Sequence, residues 1–169
     1  MKGSVKMAKK VTKAAENVYC KARLAAAKFN SSFASRESAS EVLGVSKDSL
    51  TQYELDLCKV VPVDKVVIMA DVYNAPELLN NYCCNECPIG RKIMQPIEQE
   101  NIDNLYRFAV LTSNDLAKSK EIQTTLLKIV EDGIIDESEY ADLDRIVGFF
   151  TRLEKRAAEL RVLAEKYMK

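Results

Sequence analysis

Histidine is absent from the 169-residue chain. No Ser-His or Cys-His nucleophile can therefore be assembled, no imidazole can act as a general base, and no His-containing zinc site can form. A glycine-rich phosphate-binding loop is also missing. An enzyme is consequently the least expected class of protein, and we expect no catalytic residues and no cofactor.

Long apolar runs, glycine and proline are also scarce. No run approaches the roughly 18 apolar residues of a membrane-spanning helix, and the lysine-rich start lacks the apolar core of a signal peptide. We therefore expect a soluble, cytoplasmic protein without a membrane partner. Five glycines and four prolines leave room for few turns, and the apolar residues recur at helical spacing nearly throughout. The sequence predicts an all-α fold.

The segment from Ser35 to Gly44 is predicted to form a short helix. Ser35 is a good N-cap, and three apolar residues then share one helical face: Ala39, Val42 and Leu43. Gly44 stands where the helix must stop, because glycine adopts the left-handed C-terminal position without a Cβ penalty. The chain should turn at this point.

A second short helix is predicted directly after the turn. Val45 is a lone apolar residue between the helices, Ser46 is a second N-cap, and Leu50 and Tyr53 can pack inward. The outward face is rich in hydrogen-bonding groups: Lys47, Asp48, Ser49, Thr51 and Gln52. Such a face suits the edges of DNA bases, whereas an ordinary solvated helix surface is the alternative explanation.

These two helices resemble the Cro/C1-type helix-turn-helix of phage repressors and XRE-family regulators, and the resemblance covers residues 12–80. An N-terminal helix is expected over 12–30, with its apolar positions at Ala15, Val18, Tyr19, Ala22, Ala25, Ala26 and Phe29. A later helix starting at Pro62 is expected to close the core through Val66, Val67, Met69, Ala70 and Tyr73. The resemblance implies a partner, double-stranded DNA.

The resemblance also implies roles for individual residues. Arg36 would contact phosphate and brace the recognition helix, while Lys47, Asp48, Thr51 and Gln52 would reach bases. Lys47 can donate to guanine and Gln52 can pair with adenine, whereas Asp48 would accept from cytosine or hold Lys47. The candidate DNA-binding set is Arg36, Ser46, Lys47, Asp48, Ser49, Thr51, Gln52 and Lys59.

The chain departs from the family pattern after the recognition helix. Glu54 is followed by Leu-Asp-Leu-Cys instead of a glycine and a basic loop, which leaves Lys59 as the only cation there. Residues 14–80 carry seven basic residues against nine acidic ones. Because phosphate neutralisation supplies much of DNA affinity, we expect help from a basic arm at residues 1–11; an ordinary solvated tail is the alternative.

Residues 81–95 are expected to form a linker that contains three of the five cysteines, Cys83, Cys84 and Cys87. A structural zinc site needs four ligands, and the second pair is missing unless Cys20, Cys58 or another chain contributes. We therefore expect no metal ion and reduced thiols. A regulator that senses thiol oxidation or metal through this cluster is the alternative.

Residues 96–169 are predicted to form a long antiparallel helical hairpin. Pro96 opens a helical stretch that ends at Gly133, with Ser113 and Asn114 as the expected site of a break or bend. Asp136 and Glu139 form a plausible capping box for a second helix of about 30 residues. Its apolar residues recur at near-heptad spacing: Leu143, Ile146, Phe150, Leu153, Leu160 and Tyr167.

One partner helix covers such a stripe incompletely, so we expect a homodimer through residues 96–169. The complete hypothesis is a bacterial or phage transcription regulator that binds its operator as a dimer. The alternative is an interaction adaptor that keeps the helix-turn-helix fold without DNA affinity, which the Leu55–Cys58 loop favours.

Overall fold

A computed structural model describes residues 16–131 and 133–168, and every regular element in these ranges is helical. The expectation of an all-α fold is confirmed. The basic arm predicted for residues 1–11 lies outside the described residues. The chain divides into two compact units, the first ending at Leu79 and the second beginning at Asn80. None of the described helices is both long enough and apolar enough to cross a membrane.

Four helices lie entirely within the described part of the first unit: α1 (Val18–Ala26), α2 (Arg36–Leu43), α3 (Lys47–Glu54) and α4 (Val63–Val72). A short 3-10 turn, Ser31–Phe33, lies between α1 and α2, and its Phe33 ring meets Tyr73 edge-on with 5.2 Å between the ring centroids. The best-buried apolar side chains come from α2, α3, α4 and the segment that follows α4: Ala39, Leu50, Val66, Met69 and Leu78. These short helices therefore share one small core.

Three expectations for the first unit are wrong. The first helix ends at Ala26 and not near residue 30, because the chain then forms a turn that leaves Phe29 93% exposed. Val42 and Val67 were expected in the core, but both side chains are about half exposed. Val42 precedes the buried Leu43, and Val67 follows the buried Val66. The buried face of each helix is therefore narrower than the set of apolar residues in its sequence.

In the second unit, α5 (Glu77–Asn85) begins before the boundary and is followed by α6 (Gly90–Ile93), α7 (Gln99–Asp103), α8 (Leu105–Leu116), α9 (Ser119–Ile129) and α10 (Tyr140–Met168). The segment 81–95, expected as a linker, therefore includes the end of α5 and all of α6. Gly90 is buried so closely against α5 that an added Cβ would overlap the Cys83 carbonyl group.

The single stretch predicted for residues 96–133 is wrong, because it consists of three helices. Asn104 separates α7 from α8 and caps α8 by accepting from the Arg107 amide at 3.0 Å. The second break falls between α8 and α9, and not at Ser113 and Asn114, which lie inside α8. The long α10 is confirmed, as is the capping box of Asp136 and Glu139 immediately before it.

The long helix α10 contributes side chains to both apolar clusters of the second unit. Its first half meets α9 through Ile122, Ile129, Ile146 and Phe149. Its second half meets α7 and α8 through Ile102, Phe108, Val162 and Leu163. The carboxylate of Glu159 is fully buried in that half and accepts from Asn101 Nδ2 at 2.8 Å and from Arg156 Nη1 at 2.6 Å.

Candidate nucleic-acid interface

The turn between α2 and α3 has the caps that the sequence predicts. Ser35 Oγ accepts from the Ser38 amide at 3.1 Å, and Ser46 Oγ accepts from the Ser49 amide at 3.0 Å. Gly44 adopts the left-handed conformation with a φ of 62° and ends α2. The two helices are therefore joined by three residues, Gly44, Val45 and Ser46, which fix the direction in which α3 leaves the turn.

The outward face of α3 contains exposed and half-buried side chains. Lys47, Asp48 and Gln52 are exposed, whereas Ser49 and Thr51 are half buried. The Thr51 hydroxyl donates to the Lys47 carbonyl at 2.8 Å, and the Ser49 hydroxyl lies 2.8 Å from that of Ser46. The side chains best able to meet a ligand are therefore Lys47, Asp48 and Gln52. Leu50, on the opposite face, is completely buried.

Lys47 forms an ion pair with Glu37 and not with Asp48, the partner considered from the sequence. The Lys47 Nζ atom lies 3.1 Å from Glu37 Oε2, and both side chains are mostly exposed. Exposed pairs of this kind contribute about 0–1 kcal/mol, because water and salt screen them. Lys47 can therefore exchange Glu37 for another acceptor at little cost.

Arg36 is held by a buried carboxylate. Its Nε donates to Glu54 Oε2 at 2.7 Å, and only 29% of the Arg36 side chain is exposed. Glu54 also accepts two hydrogen bonds from Arg23, from Nε at 2.6 Å and from Nη2 at 3.0 Å. One carboxylate thus joins α1, the start of α2 and the end of α3.

The protonation of this cluster follows from its contacts. Burial by itself raises the pKa of Glu54, but the hydrogen bonds and positive charges of Arg23 and Arg36 outweigh it, so the pKa of Glu54 is lowered. The hydrogen bond that Arg23 donates to Glu54 likewise raises the pKa of Arg23. The cluster is therefore charged at neutral pH, and it carries one more positive than negative charge.

Arg23 and Glu54 are site-supporting residues that the sequence analysis missed. They are 31 positions apart in the chain and lie on different helices, α1 and α3. Asn17 makes a similar long-range connection, because its Nδ2 donates to the Tyr53 carbonyl at 3.0 Å and to Asp56 Oδ1 at 2.7 Å. No local pattern indicates either contact.

The loop after α3 carries the last candidate residue, Lys59, which is exposed. Four apolar side chains in this loop and in α4 are also exposed: Leu57, Val60, Val63 and Val67. On α2 and α3 themselves, the exposed acids are Glu37, Glu41 and Asp48, whereas the exposed cation is Lys47. The surface around the candidate residues is therefore acidic overall.

The cysteines assemble no site among the residues that the structure describes. Nowhere in 16–131 or 133–168 do three Cys, Asp or Glu side chains meet in a group that could hold a metal ion. Burial, and then the nearby Cys83, raises the pKa of Cys84, and burial also raises the pKa of Cys20. Neither shift favours the reactive thiolate that a redox sensor needs.

Comparisons with protein-family models, with curated proteins and with solved structures find no match to this chain.

Proposed function

We propose that this protein binds double-stranded DNA through α3 and acts as a transcription regulator by occupying its operator. The observation that carries the proposal is the exposed polar face of α3, which follows a glycine turn and a serine N-cap. An α-helix fits the major groove, where polar side chains can distinguish all four base pairs. The buried Leu50 keeps the opposite face of α3 against its own unit.

Three side chains would contact the bases. Gln52 has the amide geometry that pairs with adenine, and Lys47 can donate to guanine after it leaves Glu37. Asp48 can accept from the amino group of cytosine. Arg36 would contact phosphate with its remaining guanidinium nitrogens while Nε stays on Glu54, and Lys59 would add a second phosphate contact from the loop.

The acidic surface of α2 and α3 opposes DNA binding by a single unit, so we propose two compensating features. The first is the lysine-rich segment before the described residues, which carries Lys2, Lys6, Lys9, Lys10 and Lys13 and no acid. The second is a homodimer formed through residues 96–169, which would make the second DNA contact intramolecular. The lysines would raise affinity without reading sequence, whereas the dimer would read two half-sites of the operator.

Selection from a pool of random duplexes by the full-length, reduced protein tests the proposal. We expect enrichment of a palindromic sequence, with half-sites about one helical turn apart or a multiple of it. Affinity for the enriched duplex should fall steeply as salt rises from about 50 to 200 mM. Enrichment of no sequence at low salt would reject DNA recognition.

The second candidate is an interaction adaptor without DNA affinity. The exposed apolar side chains of Leu57, Val60, Val63 and Val67 favour it, together with the acidic surface of α2 and α3. Under this alternative the selection fails, and replacing Leu57 and Val63 by serine abolishes capture of the partner protein. Under the DNA-binding proposal the same double variant keeps the affinity of the wild-type protein for DNA.

A further inference from the structure

An apolar seam runs along α10 and is covered over only part of its length. Its positions alternate by three and four residues, as in a coiled coil: Phe150, Leu153, Ala157, Leu160, Ala164 and Tyr167. Before this segment, Ile146 and Phe149 are buried against α9. Within it, Phe150 is 54%, Leu160 53% and Tyr167 76% exposed.

The exposed segment begins in a shallow groove of about 600 Å³ on the surface of α10, lined by residues that include Val147, Phe150, Leu153, Glu154 and Ala157. In the second half of α10, the buried residues are Glu159, Val162 and Leu163. They lie on a different face of the helix from the groove. Leu153 packs partly against the α9 cluster, whereas no described residue of the second unit covers the exposed Phe150, Leu160 and Tyr167 side chains.

We propose that a second copy of this chain covers the seam, with the two α10 helices antiparallel around a two-fold axis. This inference specifies the homodimer that forms part of the proposed function. An antiparallel pair about an axis between positions 158 and 159 brings three sets of residues together: Phe150 with Tyr167, Leu153 with Ala164, and Ala157 with Leu160. All six seam residues of each copy then contact a seam residue of the other copy.

The volumes of the side chains favour this orientation. Each alanine meets a leucine, and the two aromatic residues meet each other, so that large and small side chains alternate across the interface. A parallel pair in register would instead place Ala157 against Ala157 and Ala164 against Ala164. Those contacts would leave gaps in the core of the interface.

The charges beside the seam favour the same orientation. Glu154 and Arg161 are exposed on one edge of the seam, and no ion pair joins either of them to another residue in the part of the chain that the structure describes. In the antiparallel pair, Glu154 of each copy lies next to Arg161 of the other. In a parallel pair, Arg161 would approach Arg156 of the other copy, a like charge that already binds Asp115 and Glu159.

Charge reversal with sedimentation equilibrium of the full-length protein tests the inference. Glu154→Arg places two arginines at each edge, and Arg161→Glu places two glutamates there, so each variant alone should weaken dimerisation at least about tenfold. An equimolar mixture of the two variants restores both ion pairs and should regain the wild-type dissociation constant. The matched control is Asp144→Arg, an exposed acid of the same helix outside the seam, which should dimerise as wild type.

The results of these measurements either support or reject the antiparallel dimer. Loss of the dimer in the single variants, with recovery in the mixture and an unchanged helical circular dichroism spectrum, supports the antiparallel pair. A monomeric wild-type protein at micromolar concentration, or dimerisation unaffected by either reversal, rejects it.

Phe150→Asp provides a second probe because it removes the aromatic contact at each end of the interface. A dimer that behaves as expected but selects no DNA would reject the proposed function and leave this inference standing.

Discussion

Arg36 and Glu54 form a 2.7 Å hydrogen bond that joins the first residue of α2 to the last residue of α3. Because Glu54 is completely buried and also binds Arg23, the bond fixes the angle between the two helices from inside the first unit. Arg36 thus positions α3. In the proposed DNA complex, it would contact phosphate only with the nitrogens that Glu54 does not use.

Replacing Glu54 by alanine should destabilise the first unit strongly. Arg23 is buried and would lose its carboxylate partner, and breaking a buried pair in this way typically costs about 3–5 kcal/mol. Urea unfolding followed by circular dichroism measures the change. Glu41→Ala, in an exposed position of α2, is the control and should alter the free energy of unfolding by less than about 0.5 kcal/mol. Equal effects of the two substitutions would contradict a structural role for the cluster.

The contribution of Glu54 should also depend on pH. Its pKa in the folded protein lies below its ordinary value of 4.5, so the folded state binds fewer protons than the unfolded state as this group titrates. The stabilisation is therefore complete above that ordinary value and is lost as the pH falls through the lower, folded-state pKa. The difference in unfolding free energy between wild type and Glu54→Gln should be constant near neutral pH and shrink in acid. A difference that grows in acid would reverse this assignment.

The sequence predicts those parts of the fold whose determinants lie close together in the chain. Ser35, Gly44, Ser46 and the Asp136–Glu139 box all act over about one helical turn, so residue type and spacing were sufficient. The break at Asn104 is also local, since its side chain caps α8, but the apolar spacing continued across it and hid the cap.

The remaining features depend on tertiary contacts. Arg23 meets Glu54 across 31 residues, and Asn101 meets Glu159 across 58. Periodicity marks these residues only as polar positions and gives no indication of a partner. The same limit applies to exposure, because Val42 and Ala39 follow one apolar pattern although only Ala39 is buried. Packing of the neighbouring helices decides which part of a stripe is covered.

Gln52→Ala and Lys47→Ala should each relax base preference at one position of the enriched duplex. Loss of a good side-chain contact to a base costs about 1–3 kcal/mol of discrimination against the wrong base. Arg36→Ala should weaken binding to all duplexes, because it removes both the proposed phosphate contact and the support of α3. Fluorescence anisotropy with the enriched duplex and its single-base variants measures both effects. Equal losses for all three proteins on specific and random DNA would contradict base recognition by α3.

Gly90→Ala should destabilise the second unit, since the new methyl group overlaps the backbone of Cys83 in α5, which cannot move as a flexible side chain would. Overpacking of this kind costs about 1–3 kcal/mol. Gly148→Ala is the matched control: Gly148 lies inside α10, and its added Cβ would be 3.5 Å from Arg152 Nη1, an ordinary contact. This substitution should stabilise the protein by about 0.5–1 kcal/mol, because alanine favours helix. Thermal unfolding of both variants measures the contrast, and destabilisation by both would contradict the difference in packing.

Gly44 allows a test that separates backbone strain from contact. Its φ of 62° lies in the left-handed region, and among the described residues, its own chain neighbours apart, no atom lies within 4 Å of an added Cβ. Gly44→Ala should therefore cost about 1–2 kcal/mol through backbone strain alone. Gly44→Asn should cost less, because asparagine adopts this conformation more readily. If α3 recognises DNA, the alanine variant should also lose specific affinity, since relief of the strain changes the direction in which α3 leaves the turn. Equal stability of the alanine and asparagine variants in urea unfolding would contradict the expected cost of the left-handed conformation at Gly44.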